Sequence, residues 1–280
     1  MDKQLIDLFI KNAIAEDLGD GDHTSLSTIP SHAEGNARLI IKEPGILAGI
    51  ELALEIFNQV DSNLKTEVFL TDGSTVKYGD IAFTVSGNVH SILLAERLVL
   101  NCMQRMSGIA TKTNRIVELL KPYKAKILDT RKTTPGLRYL EKWAVRIGGG
   151  VNHRIGLYDM ILIKDNHVDY AGGIANAITA ANLYLKETGK QLEIEIEVRD
   201  LTELEQVLSK GFVNRIMLDN FSFDDLRAAV SMIDQRYITE ASGGILEENI
   251  AEYAACGVDY ISMGALTHSV KSLDMSLKAY

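Results

Sequence analysis

Apolar residues near the start of the chain recur at intervals of three and four, which is the spacing of one helix face. These residues are Ile6, Phe9, Ile10, Ala13 and Ile14. The pattern predicts an amphipathic helix that ends at Leu18 and Gly19. The acidic stretch at 20–25 has the carboxylate spacing of a calcium loop but lacks the glutamate that closes one, so it predicts a loop or a helix cap.

Between residues 36 and 100 the pattern changes to short strands and frequent turns. Strands are predicted at 37–42 and 67–70, a helix at 50–60, and turns at 71–73, 78–80 and 86–88. Turns at such close spacing are typical of antiparallel strands. A second helix is predicted from about Ser91 to Gly108. Together these elements predict an N-terminal α+β domain over residues 1–106.

After that domain, buried strands alternate with helices. The strands are predicted at 125–130, 160–164, 192–198, 215–219, 237–241 and 259–263, and the helices at 111–121, 136–146, 173–186, 201–210, 223–233 and 246–255. This alternation indicates parallel strands joined by crossover helices. Six strands, or seven with an irregular one near 147–152, predict an incomplete α/β barrel over 107–265. The tail at 266–280 has no further predicted strand and is expected to pack on the first domain.

Nearly every predicted barrel strand ends in a polar residue or a glycine. In chain order these strand ends carry Arg131 and Lys132, His153 and Arg154, Lys164 and Asp165, Glu197, Asp219 and Asn220, Ser242 with Gly243 and Gly244, and Gly264. The carboxyl ends of parallel strands meet on one face of a barrel, which is where such folds place their active sites. Glycine loops after the final strands are typical phosphate sites, because backbone N–H groups can approach the ligand closely.

The strand at 193–198 alternates strictly between glutamate and an apolar residue. If its apolar residues face the helices, then Glu193, Glu195 and Glu197 point into the barrel. Buried carboxylates are costly unless cations or water meet them, and the expected partners are Lys126, Arg131, Lys132 and Lys164. The alternative interpretation is a polar edge strand that faces water.

The charge distribution singles out residues 126–167. The whole chain carries a net charge of −9, yet this segment holds eight lysines and arginines against four carboxylates, a net charge of +4. An acidic protein with positive charge concentrated in one segment is expected to bind a small, multiply anionic ligand. For Arg138, Lys142 and Arg146, which have helical spacing, a solvated helix face is an equally good interpretation.

Composition excludes several other classes of protein. A chain of 280 residues with 46% hydrophobic residues can bury a large core in one or two domains. Its two cysteines, Cys102 and Cys256, are far apart and form no CxxC pair, which argues against a disulfide scaffold or structural zinc site. No apolar run is long enough for a membrane span, and no basic stacking surface for nucleic acid is evident. We therefore expect a soluble cytoplasmic protein with no nucleic-acid or membrane partner.

The candidate residues indicate a site that positions its ligands and stabilises their charges. They do not include an activated nucleophile. The cations can hold carboxylates and phosphates, and arginine suits planar carboxylates through paired hydrogen bonds. Glu197 and Asp219 can hold ribose hydroxyls or the water shell of Mg²⁺. The chain contains no GxSxG, no HExxH and no cysteine beside a histidine in a glycine loop.

Several motifs, in one order along the chain, make it resemble the quinolinate phosphoribosyltransferase family. They are EDLGDGDHT at 16–24, ERLVLNCMQRMSGIAT at 96–111, DTRKTTPGLR at 129–138, GGGVNHRIGL at 148–157, LIKDNH at 162–167, MLDN at 217–220, EASGGI at 240–245 and SMGALTHS at 262–269. The resemblance implies an α/β-hammerhead-like N-terminal domain followed by an incomplete (β/α) barrel. It also implies condensation of quinolinate with phosphoribosyl pyrophosphate, which yields nicotinate mononucleotide, pyrophosphate and CO₂, with Mg²⁺ as cofactor.

The resemblance also implies a role for each matching residue. Arg97, Arg131, His153, Arg154 and Lys164 would line the quinolinate site, and Thr133 would join the substrate-binding set. Lys132 and Lys164 would reach the phosphates, and Glu197 and Asp219 would hold the ribose hydroxyls and the water shell of the metal. These last four would be the catalytic residues. Ser242, Gly243, Gly244 and Gly264 would bind the 5′-phosphate.

Arg97 lies outside the predicted barrel, so the resemblance implies that it reaches the barrel of a neighbouring subunit in a homodimer with shared active sites. Three alternatives to the main interpretation stay open at this point. They are a related phosphoribosyltransferase-like protein of the molybdenum-transport-associated type, a barrel aldolase that uses Lys164 as a Schiff base, and a non-catalytic anion-binding protein.

Overall fold

Helices and strands alternate along residues 3–280, the part of the chain that this computed structural model describes, so the first two residues of the predicted N-terminal domain lie outside it. The helices are α1 (Lys3–Leu18), α2 (His23–Thr28), α3 (Ile50–Val60), α4 (Val89–Leu120), α5 (Arg138–Ile147), α6 (Asp165–Ala171), α7 (Ile174–Thr188), α8 (Leu201–Lys210), α9 (Phe223–Ile233), α10 (Ile250–Ala255) and α11 (Ala265–His268). The strands are β1 (Glu34–Ile41), β2 (Gly45–Ile46), β3 (Lys65–Val68), β4 (Thr75–Val76), β5 (Ile81–Asn88), β6 (Lys126–Leu128), β7 (Ile161–Ile163), β8 (Ile194–Val198), β9 (Arg215–Asp219), β10 (Ile238–Ser242), β11 (Tyr260–Ser262) and β12 (Met275–Ala279).

Two structural units divide these elements. The first unit comprises the described residues up to Asn114 together with Pro135–Gly148 and Val270–Tyr280. The second unit comprises Arg115–Thr134 and Gly149–Ser269. None of the helices in the described part of the chain is both long and apolar enough to cross a membrane.

An antiparallel sheet of four strands, in the order β12-β1-β5-β3, forms the centre of the first unit. Alternate residues of β1, including Leu39 and Ile41, are fully buried, as expected for a strand with one face on a core. The rings of Phe57 and Phe83 meet edge to face with their centroids 5.7 Å apart and join α3 to this sheet. The acidic stretch at 20–25 is a helix cap, because Asp22 accepts a hydrogen bond from the backbone N–H of Ser25.

The prediction that the tail contains no strand is wrong. β12 pairs with β1 in antiparallel register, with Leu277 opposite Leu39. The segment buries Met275 and Leu277 on alternate positions, but it is only five residues long. Such a short alternation of buried and exposed residues is hard to recognise in the sequence, because the partner strand lies at the other end of the chain.

The predicted helix end at Gly108 is also wrong, because a single helix of 32 residues, α4, continues through it. A Cβ atom at Gly108 would lie 2.3 Å from the carbonyl oxygen of Lys271. This glycine therefore allows close packing of the tail on the helix and does not end it. The separately predicted helix at 111–121 is the second part of α4.

The division into units also places Pro135–Gly148, which includes α5, in the first unit, whereas the pattern assigned this segment to the barrel. Buried Glu141 on α5 accepts two hydrogen bonds from the guanidinium of Arg105 on α4, at 2.8 and 3.1 Å. Gly148 fits closely against the carbonyl oxygen of Ala110, which a Cβ atom would approach to 2.5 Å. These contacts join α5 to the part of α4 that belongs to the first unit.

The second unit contains a parallel sheet of six strands in the order β6-β11-β10-β9-β8-β7, which confirms all six predicted barrel strands. The irregular seventh strand is only an isolated bridge between Leu128 and Val151. His153 follows this bridge at the β6 edge, yet its ring lies 3.0 Å from Glu195 in β8, the fifth strand across. In a flat sheet β6 and β8 would be roughly 19 Å apart, because four strand spacings separate them. The sheet therefore curls into a barrel that is incomplete between β6 and β7.

Candidate active site

A cavity of about 640 Å³ lies at the carboxyl ends of the barrel strands, within the second unit. Lys164 directly follows β7, Glu197 lies near the end of β8, and Asp219 and Ser242 end β9 and β10. The predicted substrate-binding residues that line the cavity are Arg131, Lys132, His153, Arg154, Lys164, Glu197, Asp219, Ser242, Gly243, Gly244 and Gly264. The structure thus brings together residues whose only shared signal in the sequence is their place at a strand end.

Two predicted site residues do not line this cavity. Arg97 is exposed on α4 and belongs to the first unit. Thr133 lies in the turn after β6, where its backbone N–H donates to the carbonyl oxygen of Arg131 at 2.9 Å. This bond shapes the backbone that presents Arg131 and Lys132.

Sequence reasoning missed further cavity residues that one simple rule could have found. Leu162, Met217, Glu240 and Ser262 line the cavity, and each lies two positions before a predicted strand-end residue. Because side chains alternate across a strand, a residue two positions earlier points into the same side of the barrel. Leu162 and Met217 are apolar, and an apolar surface in the cavity suits the faces of an aromatic ring.

Arg131 and Arg154 provide positive charge at one part of the cavity. Arg154 donates from its guanidinium to the carbonyl oxygen of Met160 at 3.2 Å, which fixes the direction of the side chain. Burial, and then repulsion by Arg131, lowers the pKa of Arg154 below the ordinary arginine value. Two cations that repel each other favour the binding of a negatively charged ligand between them.

Fully buried Asp129 holds the segment that carries His153 and Arg154. Its carboxylate accepts from the backbone N–H of His153 at 2.9 Å and from the side-chain amide of Asn152 at 2.5 Å. The backbone N–H of Arg154 donates to Nδ1 of His153 at 2.7 Å. Because Nδ1 accepts this bond, the neutral imidazole carries its proton on Nε2, which faces the barrel interior.

Lys164 and Glu197 form an ion pair at the mouth of the barrel, with Nζ 2.6 Å from Oε2. This pair confirms one expected partner for the inward glutamates, since Glu197 is buried and Lys164 is about half exposed. The other expectations for this strand need correction. Glu193 lies before β8 with its side chain about half exposed, and Glu195 meets His153, which was not among the four predicted partners. The reason is that the barrel interior joins residues from different strands at the same height, whatever their distance in sequence.

In the barrel interior, His153, which lines the cavity, meets two carboxyl groups that are fully buried. Its Nε2 lies 3.0 Å from Oε2 of Glu195 and 3.5 Å from Oε2 of Glu240, and a guanidinium nitrogen of Arg215 lies 3.5 Å from the same Glu240 oxygen. Burial is the largest cause that raises the pKa of Glu195 to about 7 and that of Glu240 to about 8. At neutral pH Glu240 therefore largely keeps its proton, whereas Glu195 is close to the midpoint of its titration. Because the ligand atoms of His153, Glu195 and Glu240 lie within 4.8 Å of one another, this cluster could also hold a metal ion.

Replacement of Glu240 with glutamine is expected to stabilise the protein at about pH 8 and to have little effect at about pH 5. The folded state keeps a proton on Glu240 up to a pKa of about 8, whereas the ordinary value is 4.5. As far as Glu240 is concerned, the wild-type protein therefore has its full stability below pH 4.5 and becomes less stable as the pH rises towards 8, because the unfolded state then releases the Glu240 proton more readily than the folded state. Glutamine does not ionise, so the variant does not undergo this loss of stability. Chemical denaturation of both proteins across this pH range measures the difference.

The matched control for this experiment is Glu193→Gln, which removes a half-exposed carboxylate two positions before Glu195. It removes one carboxylate, as Glu240→Gln does, from a position that is not fully buried, so the two variants together separate burial of the carboxyl from loss of a negative charge. If Glu240→Gln shifts stability by the same amount at every pH, the buried proton is not the cause.

The glycine loops at the ends of β10 and β11 bring backbone to the cavity wall. Gly243 has a φ of +94°, and a Cβ atom there would lie 2.3 Å from the side-chain oxygen of Asn220. A Cβ atom at Gly264 would lie 2.9 Å from a side-chain carbon of Lys132. Gly243 and Gly264 have no side chains, so their backbone N–H groups can face a phosphate directly. The cationic side chain of Lys132 lies close to Gly264.

Comparison with protein families gives two matches that together span most of the chain. The N-terminal domain model of quinolinate phosphoribosyl transferase matches residues 22–107. The C-terminal domain model of the same family matches residues 109–278.

Curated relatives agree with these matches. The chloroplastic nicotinate-nucleotide pyrophosphorylase [carboxylating] of Arabidopsis thaliana is 49% identical, over 96% of this chain and 81% of the relative. A probable enzyme of the same name from Bacillus subtilis is 43% identical over 94% of this chain and 89% of the relative.

Among solved structures, NadC from Streptococcus pyogenes matches with a TM-score of 0.93 at 37% identity and covers 100% of this chain and 99% of that one. The nicotinate-nucleotide pyrophosphorylase from Francisella tularensis also has a TM-score of 0.93, at 41% identity over 100% of this chain and 98% of that one. The fold, the strand-end residues and the similarity over nearly the whole length lead to one conclusion. This chain belongs to the quinolinate phosphoribosyltransferase family.

Proposed function

We propose that this protein transfers the phosphoribosyl group of phosphoribosyl pyrophosphate to quinolinate, with release of pyrophosphate and CO₂ and formation of nicotinate mononucleotide. The observation that carries the proposal is one cavity that combines two arginines, two lysines, two carboxylates and a pair of glycine loops. Each group matches a different part of these two substrates. The names of the relatives support the same reaction.

The proposed binding mode follows from the chemistry of the side chains. Arg131 and Arg154 hold the two carboxylates of quinolinate, since guanidinium groups suit planar carboxylates, and His153 lies beside them. Lys132 and Lys164 hold the pyrophosphate. The backbone around Ser242, Gly243, Gly244 and Gly264 holds the 5′-phosphate.

Bond cleavage at C1 of the ribose then releases pyrophosphate and leaves positive charge on the sugar. The carboxylates of Glu197 and Asp219 stabilise this charge, while Lys132 and Lys164 stabilise the departing anion. The pyridine nitrogen forms the new bond to C1 from a pose that the arginines fix, which is catalysis by orientation. The 2-carboxylate leaves as CO₂ because the cationic ring nitrogen stabilises the electron pair that remains on the ring carbon. A proton from solvent then bonds to that carbon and gives nicotinate mononucleotide.

We also propose Mg²⁺ as the cofactor, and the residues present fit it. Mg²⁺ prefers one or two protein carboxylates together with water and phosphate oxygens. Glu197 and Asp219 line the cavity together and would hold the ion, in the main through its water molecules. When bound, the ion would help to neutralise the charge of the pyrophosphate.

The geometry does not favour a Schiff-base aldolase. A lysine that forms a Schiff base must lose its proton readily, which requires an apolar pocket or a neighbouring cation. The side chain of Lys164 is instead about half exposed and its ammonium group pairs with the carboxylate of Glu197 at 2.6 Å, which is not an apolar pocket. A protein that only binds anions has no need for Glu197 and Asp219, which would repel its ligand.

A single assay tests the proposed reaction. With Mg²⁺ present, we expect CO₂ and pyrophosphate to appear only when quinolinate and phosphoribosyl pyrophosphate are supplied together. Nicotinate should be a poor substrate, because the cavity provides cations for two ring carboxylates. Equal turnover of nicotinate and quinolinate would contradict the assignment, and turnover of another acid in place of quinolinate would favour the molybdenum-transport-associated type.

We further propose a homodimer in which each active site is shared. Arg97 is exposed on α4 and does not line the cavity of its own second unit, which leaves it available to a partner subunit. A barrel with an open mouth needs a cover to exclude water, and a two-fold dimer supplies two covers at once.

Mixing of two inactive variants, Arg97→Ala and Arg131→Ala, is expected to restore activity once subunits exchange. In a mixed dimer one site carries both defects, while the other combines an intact barrel with an intact Arg97. Activity is measured before and after exchange, and exchange itself is followed with a size tag on one variant. If mixed dimers form and stay inactive, Arg97 acts within its own chain.

A further inference from the structure

Asn220 follows β9 in the left-handed backbone region, with a φ of +57°. Non-glycine residues seldom adopt this conformation, although asparagine tolerates it better than most. The others with positive φ among the described residues are Phe212, Asp234 and Gln235, and none of these three lines the cavity. This backbone conformation therefore lies at the active site, where strained residues tend to cluster.

On one side, the side chain of Asn220 holds Asp219. The amide Nδ2 donates a hydrogen bond to Oδ2 of Asp219 at 2.6 Å. A hydrogen bond to an ionised carboxylate is among the stronger kinds and restricts its rotation. Asp219 is the residue to which we assign the ribose hydroxyls and the water shell of the metal.

On the other side, Asn220 supports the glycine loop of β10. Its backbone N–H donates to the carbonyl oxygen of Ser242 at 2.9 Å, which extends the pairing of β9 with β10 beyond the last strand residue. The side-chain oxygen and Cγ of Asn220 occupy the space where a Cβ atom of Gly243 would lie, at 2.3 and 2.5 Å. The backbone of Gly243 therefore rests directly against the side chain of Asn220.

We infer that Asn220 is a positioning residue for phosphoribosyl pyrophosphate, because one side chain orients the Asp219 carboxylate and supports the Gly243 backbone. Through these two contacts it fixes the distance between the ribose end and the phosphate end of the site. The inference rests on the proposed function.

The competing explanation is that Asn220 only allows the chain to turn after β9. Replacement with glycine separates the two roles, since glycine adopts positive φ without strain. A turn residue can be replaced by glycine without loss of function. A positioning residue cannot, because glycine removes both the donor to Asp219 and the support of Gly243.

The experiment compares the wild type with Asn220→Gly, Asn220→Asp and a matched control, Gln235→Gly. Gln235 also has a positive φ, of +58°, and is exposed outside the cavity. Steady-state assays of pyrophosphate release give KM for each substrate and kcat, and thermal unfolding gives Tm.

For Asn220→Gly we expect the KM for phosphoribosyl pyrophosphate to rise about tenfold, the loss expected from one hydrogen bond to a charged group. The KM for quinolinate should change by less than about twofold, and Tm should stay equal or rise. Asn220→Asp should raise the first KM further, because it places a second carboxylate against Asp219 at an unchanged side-chain volume. Gln235→Gly should leave both KM values unchanged.

Three results would overturn the inference. If Asn220→Gly has the wild-type KM for phosphoribosyl pyrophosphate, the residue serves the turn alone. If both KM values rise equally, or if Tm falls well below that of Gln235→Gly, its role is structural. If the wild type itself does not use phosphoribosyl pyrophosphate, the proposed function fails and the inference fails with it, so the two failures are distinguishable.

Discussion

Replacement of Arg131 or Arg154 with alanine is expected to weaken quinolinate binding about a hundredfold, which is the loss typical of a charge-paired contact removed from a partly enclosed site. Both guanidinium groups line the cavity, and repulsion between them contributes to the lowered pKa of Arg154. In the proposed binding mode, quinolinate places its two carboxylates against the two cations, and their negative charge relieves this repulsion. Calorimetric titration with quinolinate measures the loss directly.

The same substitutions should leave thermal stability nearly unchanged or raised. Removal of one cation relieves the repulsion that the ligand-free site contains, so binding and stability respond in opposite directions. Arg154→Ala also loses the hydrogen bond to the carbonyl oxygen of Met160, which costs about 1 kcal/mol and offsets the gain. We therefore expect the Tm of both variants to stay nearly unchanged or to rise.

Arg146→Ala is the matched control for these two variants. It removes one positive charge from an exposed position on α5 that does not line the cavity. Quinolinate affinity should be retained, so a change in net charge alone would not account for the effect. A large fall in Tm for both Arg131→Ala and Arg154→Ala would mean that these arginines are structural.

Replacement of Gly243 with valine is expected to raise the KM for phosphoribosyl pyrophosphate by more than about a hundredfold and the KM for quinolinate far less. Its φ of +94° disfavours any side chain, and a Cβ atom would clash with the Asn220 side chain at 2.3 Å and its backbone nitrogen at 2.8 Å. The loop must therefore move, and its N–H groups then no longer face the 5′-phosphate. Steady-state kinetics with each substrate varied in turn gives both values.

Gly257→Ala controls for the backbone conformation in this experiment. Gly257 has a similar φ, of +89°, but a Cβ atom there would make only an ordinary contact with Val230 at 3.6 Å. It lies after α10 and does not line the cavity, so its substitution should lower stability without changing either KM. If Gly243→Val raises both KM values alike, the phosphate binds elsewhere.

The sequence by itself determined the strands of the second unit and the strand-end residues that line its cavity. A buried strand requires a local apolar run, and a crossover helix requires a local amphipathic run, so both signals lie in neighbouring residues. Once parallel strands are recognised, their carboxyl ends must meet, and Lys164, Glu197 and Asp219 are thereby predicted to share one cavity. The strand positions thus specified the mouth of the barrel without any knowledge of side-chain contacts.

Only the tertiary structure decided contacts between residues that are distant in sequence. The pairing of β12 with β1, the place of α5 in the first unit and the buried meeting of His153, Glu195 and Glu240 leave no periodic signal along the chain. Gly108 illustrates the difficulty, because a glycine that accommodates the carbonyl of Lys271 looks in the sequence like the end of a helix. Periodicity reports which face of an element is buried, whereas the identity of the neighbour depends on how distant elements pack against each other.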